Sequence, residues 1–326
     1  MLHYCLFIFK LKTEGEMKRF FKIIMTCYIN LLLSTQLVFA GDSPTVFVSI
    51  LPQKFFVQQI CMNHVNVEVM VQPGASPATY EPKSSQMKQL ATASAYFAIG
   101  VPFEHTWLEK IAGVNPEMKI VHTDEGITKL VMNNHHHNQK HRKATHHDAE
   151  ENDAVHHEEE HHHHAGLDPH IWLSPSLVKK QAVIITDALA KILPDKKELF
   201  QQNFDDFARK IDALNNELHT TFKDKKGMQF MVFHPTWGYF AHDYGLEQIA
   251  IEIEGKEPKP AQLRKLIEHA RENNIHVVFV QPQFSTKSAK VVAREIKGEV
   301  IAVDPLAEDW LTNMRVVATK FKNALQ

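Results

Sequence analysis

Residues 135–164 combine metal-binding side chains with almost no apolar ones. They hold twelve of the 22 histidines of the chain, interspersed with Asp and Glu. Imidazole is the commonest metal ligand and titrates near neutral pH, so this tract predicts the binding of metal ions or protons. A segment with so little to bury is not expected to fold by itself, and we interpret 135–166 as a disordered loop. A solvated insertion without metal is the alternative, whereas the mid-chain position and irregular spacing argue against a purification tag.

Three further residues with metal-binding side chains follow predicted strands or lie in a turn. His170 lies in an Asp-Pro-His turn just after the loop. His234 and Asp304 directly follow predicted strands. Ligands of open α/β sheets bind beyond the carboxyl ends of the strands, and two imidazoles with a carboxylate suit Zn²⁺ and also Mn²⁺ or Fe²⁺. Each residue also has an ordinary reading, as a core or surface His or as a turn-forming Asp before Pro.

Elsewhere the sequence alternates β-rich runs with amphipathic stretches, which favours mostly parallel sheets flanked by helices. Strands are predicted at 45–50, 65–71, 95–99, 119–121, 230–233, 248–253, 277–280 and 299–303. A stretch at 195–223 with apolar residues every three or four positions predicts one long helix. The expected fold is therefore α/β, with two parallel-sheet lobes joined by a long helix. The expected boundaries are an N-terminal lobe at 41–134, the loop at 135–166, the end of that lobe at 167–194, a linking helix at 195–226 and a C-terminal lobe at 227–326.

The N-terminus predicts export. A basic start is followed by an apolar run and by small residues that end at Ala40, so we expect a signal peptide at 1–40, cleaved near Ala40. Met17 is an alternative start, and a transmembrane anchor or lipidation is the alternative fate of the apolar run. Cleavage would leave a single cysteine, Cys61, which predicts buried packing and not a disulfide. A net charge of −2 with neutral His gives no reason to expect a nucleic-acid partner.

Short motifs along the mature chain resemble, in sequence and in order, one family. The first lobe contains Ser49-Ile50-Leu51-Pro52, Pro73-Gly74-Ala75-Ser76-Pro77 and Tyr80-Glu81-Pro82. The centre contains Asp168-Pro169-His170-Ile171-Trp172-Leu173, and the second lobe contains Tyr244-Gly245-Leu246 and Asp304-Pro305-Leu306. Together they resemble the metal-binding solute-binding proteins of ABC transporters, in the zinc/manganese cluster. They are most similar to the zinc-uptake members, in which a His-rich loop precedes the Asp-Pro-His motif.

The resemblance implies one metal ion in a cleft between the lobes, which are joined by a rigid helix. His170, His234 and Asp304 fall on three of the family's four ligand positions. The fourth is usually a His, but this chain has Ala78 there.

Three ways of completing the site remain open. Water can take the fourth position, a nearby side chain can replace the missing His, or a His of the loop can close the site. The nearby candidates are Glu81, Glu104 and His105. We rank water or a nearby carboxylate first.

The function that the resemblance implies is capture and not catalysis. The protein is expected to be a periplasmic monomer that binds a divalent metal, Zn²⁺ first and Mn²⁺ or another ion as alternative, and delivers it to an ABC permease in the inner membrane. A metal buffer or adhesin that uses mainly the loop is the alternative. A zinc hydrolase is disfavoured, because no HExxH motif supplies a general base beside the ligands.

Overall fold

A computed structural model of the chain describes residues 43–132, 166–253 and 255–325, together with Arg19, Lys22 and Met25. Pro44–Gln326 forms a unit of its own. The predicted signal peptide and the His/acid tract at 135–164 lie outside the described residues. Within the described ranges, no helix has the length and apolar character needed to cross a bilayer.

The N-terminal lobe is a four-stranded parallel sheet with helices in its crossovers. Its elements are β1 (Thr45–Val48), α1 (Leu51–Cys61), β2 (Asn66–Val69), α2 (Ser84–Leu90), β3 (Ala95–Ala98), α3 (Pro102–Val114) and β4 (Lys119–His122). The strand order is β2-β1-β3-β4, and every pairing is parallel. All four residues of β3 are buried, as expected for a central strand covered on both faces.

The C-terminal lobe repeats the same topology. After α4 (Pro175–Ile192) and α5 (Lys197–Phe222), it contains β5 (Gln229–Val232), α6 (Gly238–Tyr244), β6 (Glu247–Ala250), α7 (Pro260–Glu272), β7 (Val277–Val280), α8 (Lys287–Glu295), β8 (Glu299–Ala302) and α9 (Trp310–Ala324). The order β6-β5-β7-β8 is again all parallel. The predicted two-lobed α/β fold is thus confirmed, with strand ends that differ from the predicted ones by a few residues.

Two helices connect the lobes. They are α4 (Pro175–Ile192) and α5 (Lys197–Phe222), and α5 has 26 residues. The predicted helix at 195–223 begins later than expected, because Pro194–Lys196 forms a separate 3-10 turn. On one side α5 packs against α1 and α4, and on the other it contacts α6 and α9. A long helix therefore contacts elements of both lobes.

Aromatic packing joins the two lobes through α5. Phe56 of α1 meets the ring of Trp310 on α9 edge-on, with centroids 5.3 Å apart, and Phe207 of α5 lies 6.0 Å from Phe56. All three side chains are buried within one hydrophobic core that includes residues of both sheets. Cys61 is also buried and has a free thiol, and burial raises its pKa to about 11. The expected packing role of this cysteine is thus confirmed.

A buried amide on α5 predicts a measurable contribution to stability. Asn203 donates its Nδ2–H to the carbonyl of Ile60 at 2.8 Å, and this carbonyl lies in the last turn of α1, where helical partners are absent. We expect Asn203→Ala to lower the free energy of unfolding by about 1–3 kcal/mol, because the carbonyl loses its donor. Urea unfolding measures the change. The control is Asn216→Ala, which changes an exposed residue of the same helix and should shift stability by less than about 0.5 kcal/mol. Equal effects of the two substitutions would contradict this role.

Candidate metal centre

Two of the three predicted ligands lie side by side in a cleft between the lobes. His170 precedes the 3-10 turn Ile171–Leu173, and His234 follows β5. Their ring centroids are 5.4 Å apart, with the ring planes inclined by 75°. Both rings line a cleft of about 530 Å³. The structure therefore brings together two imidazoles from distant parts of the sequence.

A buried carboxylate fixes the ring of His170. Asp168 accepts hydrogen bonds from the backbone N–H of His170 at 2.9 Å and lies 2.6 Å from its Nδ1. Tyr239, on α6, donates its hydroxyl proton to the backbone carbonyl of Asp168 at 2.9 Å. Burial raises the pKa of Tyr239 to about 12, so the hydroxyl keeps its proton at neutral pH. A residue of the second lobe thus anchors the segment that carries His170.

A second buried carboxylate fixes the ring of His234. Glu252, which follows β6, lies 2.5 Å from Nδ1 of His234 through its Oε1. Gln281 holds the backbone of His234 on both sides, since it accepts from the N–H at 3.3 Å and donates to the carbonyl at 2.7 Å. Phe284 stacks on the imidazole, with centroids 4.5 Å apart. The ring is therefore held by its edge, its face and its backbone.

These two carboxylate–imidazole pairs leave the same ring atom available in each histidine. An ionised carboxylate only accepts hydrogen bonds, so Nδ1 of His170 and of His234 carries the proton. Each Nε2 then has a free lone pair, which is the form of imidazole that binds a metal ion. Metal-bound histidines commonly donate their other N–H to a carboxylate. The donor set in the cleft therefore fits a divalent transition-metal ion.

Asp304 does not belong to the described residues that line the cleft of this pair. Its Oδ1 accepts from the backbone N–H of Leu306 at 2.9 Å and from Nε2 of Gln283 at 3.0 Å. The residue lines a smaller cavity of about 150 Å³, and Gln283 and Leu306 line both cavities. Among residues 43–132, 166–253 and 255–325, no three His, Cys, Asp or Glu side chains form a group that could hold a metal ion.

Ala78, at the position where the resemblance implies a fourth ligand, also lines the cleft of the two histidines. Of the candidates to replace the missing side chain, His105 lines this cleft as well. Neither Glu81 nor Glu104 is among the described residues around it. Of the three predicted substitutes, His105 is therefore the residue that lines the same cleft as the histidine pair.

Glu104 is instead part of a buried network at the edge of the first sheet. It accepts hydrogen bonds from the backbone N–H groups of Ile99 and Gly100, at 3.0 and 2.7 Å, and from the hydroxyl of Ser49. Burial raises the pKa of the Glu104 carboxyl, and these hydrogen bonds offset part of the rise. The carboxylate satisfies backbone donors at the end of β3, which supports a structural role.

Sequence reasoning missed the groups behind the histidines. Asp168 stands two residues before His170, so the Asp-Pro-His spacing could have indicated it. Glu252 lies in a run predicted as strand, and its contact with His234 depends on the pairing of β5 with β6. Trp172 lines the cleft and is almost fully buried, and it donates its Nε1–H to the carbonyl of Pro305 at 2.8 Å. This tryptophan therefore both packs in the core and lines the cleft.

Comparison with known proteins identifies the family. Residues 46–324 match the family model "ZnuA: Zinc-uptake complex component A periplasmic". The high-affinity zinc uptake system protein ZnuA of Bacillus subtilis (strain 168) is 30% identical over 268 residues, which are 80% of this chain and 78% of that protein.

Solved structures agree with this assignment. A crystal structure of ZnuA superposes with a TM-score of 0.76 and 40% identity, and the match covers 87% of this chain and 100% of that one. A ZnuA deletion mutant with zinc bound matches with a TM-score of 0.75 and 40% identity, over 87% of this chain and 99% of that one. The chain therefore belongs to the ZnuA family of periplasmic zinc-uptake components, which are solute-binding proteins of ABC transporters and not enzymes.

Proposed function

We propose that this protein captures Zn²⁺ outside the cytoplasm in the cleft of His170 and His234 and delivers it to an ABC permease. The observation that carries the proposal is the pair of imidazoles, each held at Nδ1 by a buried carboxylate, which leaves Nε2 to bind a metal ion. Two neutral imidazoles suit Zn²⁺, with Mn²⁺ or another divalent ion as the alternative cargo. Relatives named as zinc-uptake proteins support zinc.

The proposed ligands are His170, His234 and Asp304. Because Gln283 and Leu306 line both cavities, a small movement at this boundary would bring the carboxylate of Asp304 to an ion held by the histidines. Ala78 supplies no ligand, so water or His105 completes the coordination. Zinc accepts three protein ligands and one water in a tetrahedral arrangement.

The cellular setting follows from the N-terminus and the family. We propose that the signal peptide is cleaved near Ala40 and that the mature protein works in the periplasm as a monomer. The His/acid tract is proposed to collect metal ions beside the cleft. Its flanking residues Met132 and Gly166 both line the cleft, so ions bound weakly by the tract are released at a high local concentration near the site.

A metal buffer or adhesin remains the second candidate function. The alanine at position 78 favours it, because the folded site lacks one of the ligands that relatives use. In that case the tract would hold most of the metal, and the cleft would contribute little. The two functions therefore differ in where the tightest ion is bound.

Removing the tract separates these functions. We expect the protein without residues 135–164 to bind about one Zn²⁺ per chain in calorimetry, because three side chains and a water form one closed site. His170→Ala or His234→Ala in the same background should abolish this tight binding, because each substitution removes a ligand. A buffer would instead lose nearly all binding with the tract.

The matched control for this prediction is His276→Ala, which removes an exposed histidine at the start of β7. It should leave both the stoichiometry and the affinity unchanged. Tight binding that persists in His170→Ala and in His234→Ala would refute the assignment of the cleft.

Restoring a histidine at position 78 tests the geometry of the cleft. If this position faces the ion, we expect Ala78→His to tighten zinc binding by about tenfold, or roughly 1.4 kcal/mol, since imidazole replaces a water. Chelator competition on the tract-deleted protein measures the change. Thr79→His, at an exposed neighbour, is the control and should have no effect. Weaker binding in Ala78→His would show that another group occupies the fourth position.

A further inference from the structure

Two glutamines follow β7, and each forms a hydrogen bond to a proposed ligand residue that follows a neighbouring strand. β7 lies between β5 and β8 in the sheet, so its end is flanked by His234 and Asp304. Gln281 binds the backbone of His234 on both sides, as described above. Gln283 donates its Nε2–H to Oδ1 of Asp304 at 3.0 Å. One strand end therefore holds groups from both sides of the proposed site.

The orientation of the Gln283 amide is determined by its partner. A carboxylate has no proton to donate, so Nε2 must face Asp304 and Oε1 must point elsewhere. Oε1 is buried and has no hydrogen-bond partner within the described part of the chain. Buried amide oxygens almost always have a donor, so an isolated one indicates a place for a water molecule or an ion. Gln283 lines both the metal cleft and the smaller cavity of Asp304, so its side chain lies at the boundary between them.

We infer that Gln283 is a positioning residue of the metal centre. Its Nε2–H fixes the Asp304 carboxylate. After the movement that brings this carboxylate to the captured cation, its Oε1 accepts a hydrogen bond from a water molecule bound to that cation. The inference rests on the proposed function, because it needs a cation in the cleft. Both hydrogen bonds to the carboxylate use Oδ1, which leaves Oδ2 to bind the ion. The water occupies the coordination position for which Ala78 supplies no ligand.

A second glutamine with a buried, unpartnered amide oxygen provides a control. Gln181, on α4, also has a buried Oε1 without a partner among the described residues. Its Nε2 donates to the carbonyl of Leu177 in the same helix at 3.4 Å. Gln181 does not belong to the described residues that line the cleft. The same substitution at the two positions therefore changes equivalent groups, of which only Gln283 lies at the proposed site.

The test compares Gln283→Leu with Gln181→Leu in the full-length protein. Zinc is supplied at less than one equivalent per chain, so that the tightest site fills first, and competition with a fluorescent chelator gives its Kd. We expect Gln283→Leu to raise the Kd by about 10- to 100-fold, as the loss of a group that orients a ligand does in other sites. Gln181→Leu should leave the Kd unchanged. Gln283→Met gives the same comparison if the leucine variant is not recovered.

Melting temperatures distinguish positioning from a purely structural role. Zinc that binds only the folded state raises Tm by an amount that depends on its affinity. Gln283→Leu should melt like Gln181→Leu without metal but show a smaller rise on adding zinc. The inference would be overturned if Gln283→Leu had the Kd and the zinc-induced rise in Tm of the parent protein while His170→Ala had lost the tight site. Tight binding retained in His170→Ala would instead overturn the proposed function.

Discussion

The bond between each cleft imidazole and a buried carboxylate is the interaction on which the site depends. Removing Asp168 and Glu252 from water costs free energy unless their oxygens are hydrogen-bonded, and Nδ1–H of His170 and of His234 supplies such bonds. The same bonds select the tautomer that leaves Nε2 unprotonated. They also place negative charge behind both rings, which favours a cation in front of them. One interaction thus serves folding, ring orientation and electrostatics.

The topology of the sheets places this chemistry at their carboxyl edges. At the end of the first sheet, Gln53 accepts from the backbone N–H of Ser49 at 3.0 Å, and Glu104 accepts from those that follow β3. At the end of the second sheet, Gln281 bonds the backbone N–H and the backbone carbonyl of His234. Both edges must satisfy buried backbone donors and acceptors. A ligand site arises where a residue whose backbone is hydrogen-bonded in this way also has a ring that reaches the cleft.

The spacing of apolar residues in the sequence predicts the helices and strands well, because this spacing is what allows each of them to be buried on the correct face. An amphipathic helix and a covered strand each require apolar residues at characteristic intervals, so all eight strands of the described lobes were expected close to their observed positions. The contact between Glu252 and His234 depends on which strands pair, and periodicity contains no such information. Similarly, strand ends indicated Asp304, but periodicity does not predict that it lines a different cavity from the histidines.

An alanine at position 78 is compatible with the fold because this position is exposed at the cleft. Ala78 is exposed, and its backbone N–H donates to the Ser76 hydroxyl at 3.2 Å. The rings of His170 and His234, in contrast, form hydrogen bonds to buried carboxylates, so replacing either ring affects folding as well as binding. A site with one water among its ligands has an exchangeable position. A protein that delivers a metal ion must also release it. At the proposed site, a ligand of the receiving permease can replace the water before the histidines dissociate from the ion.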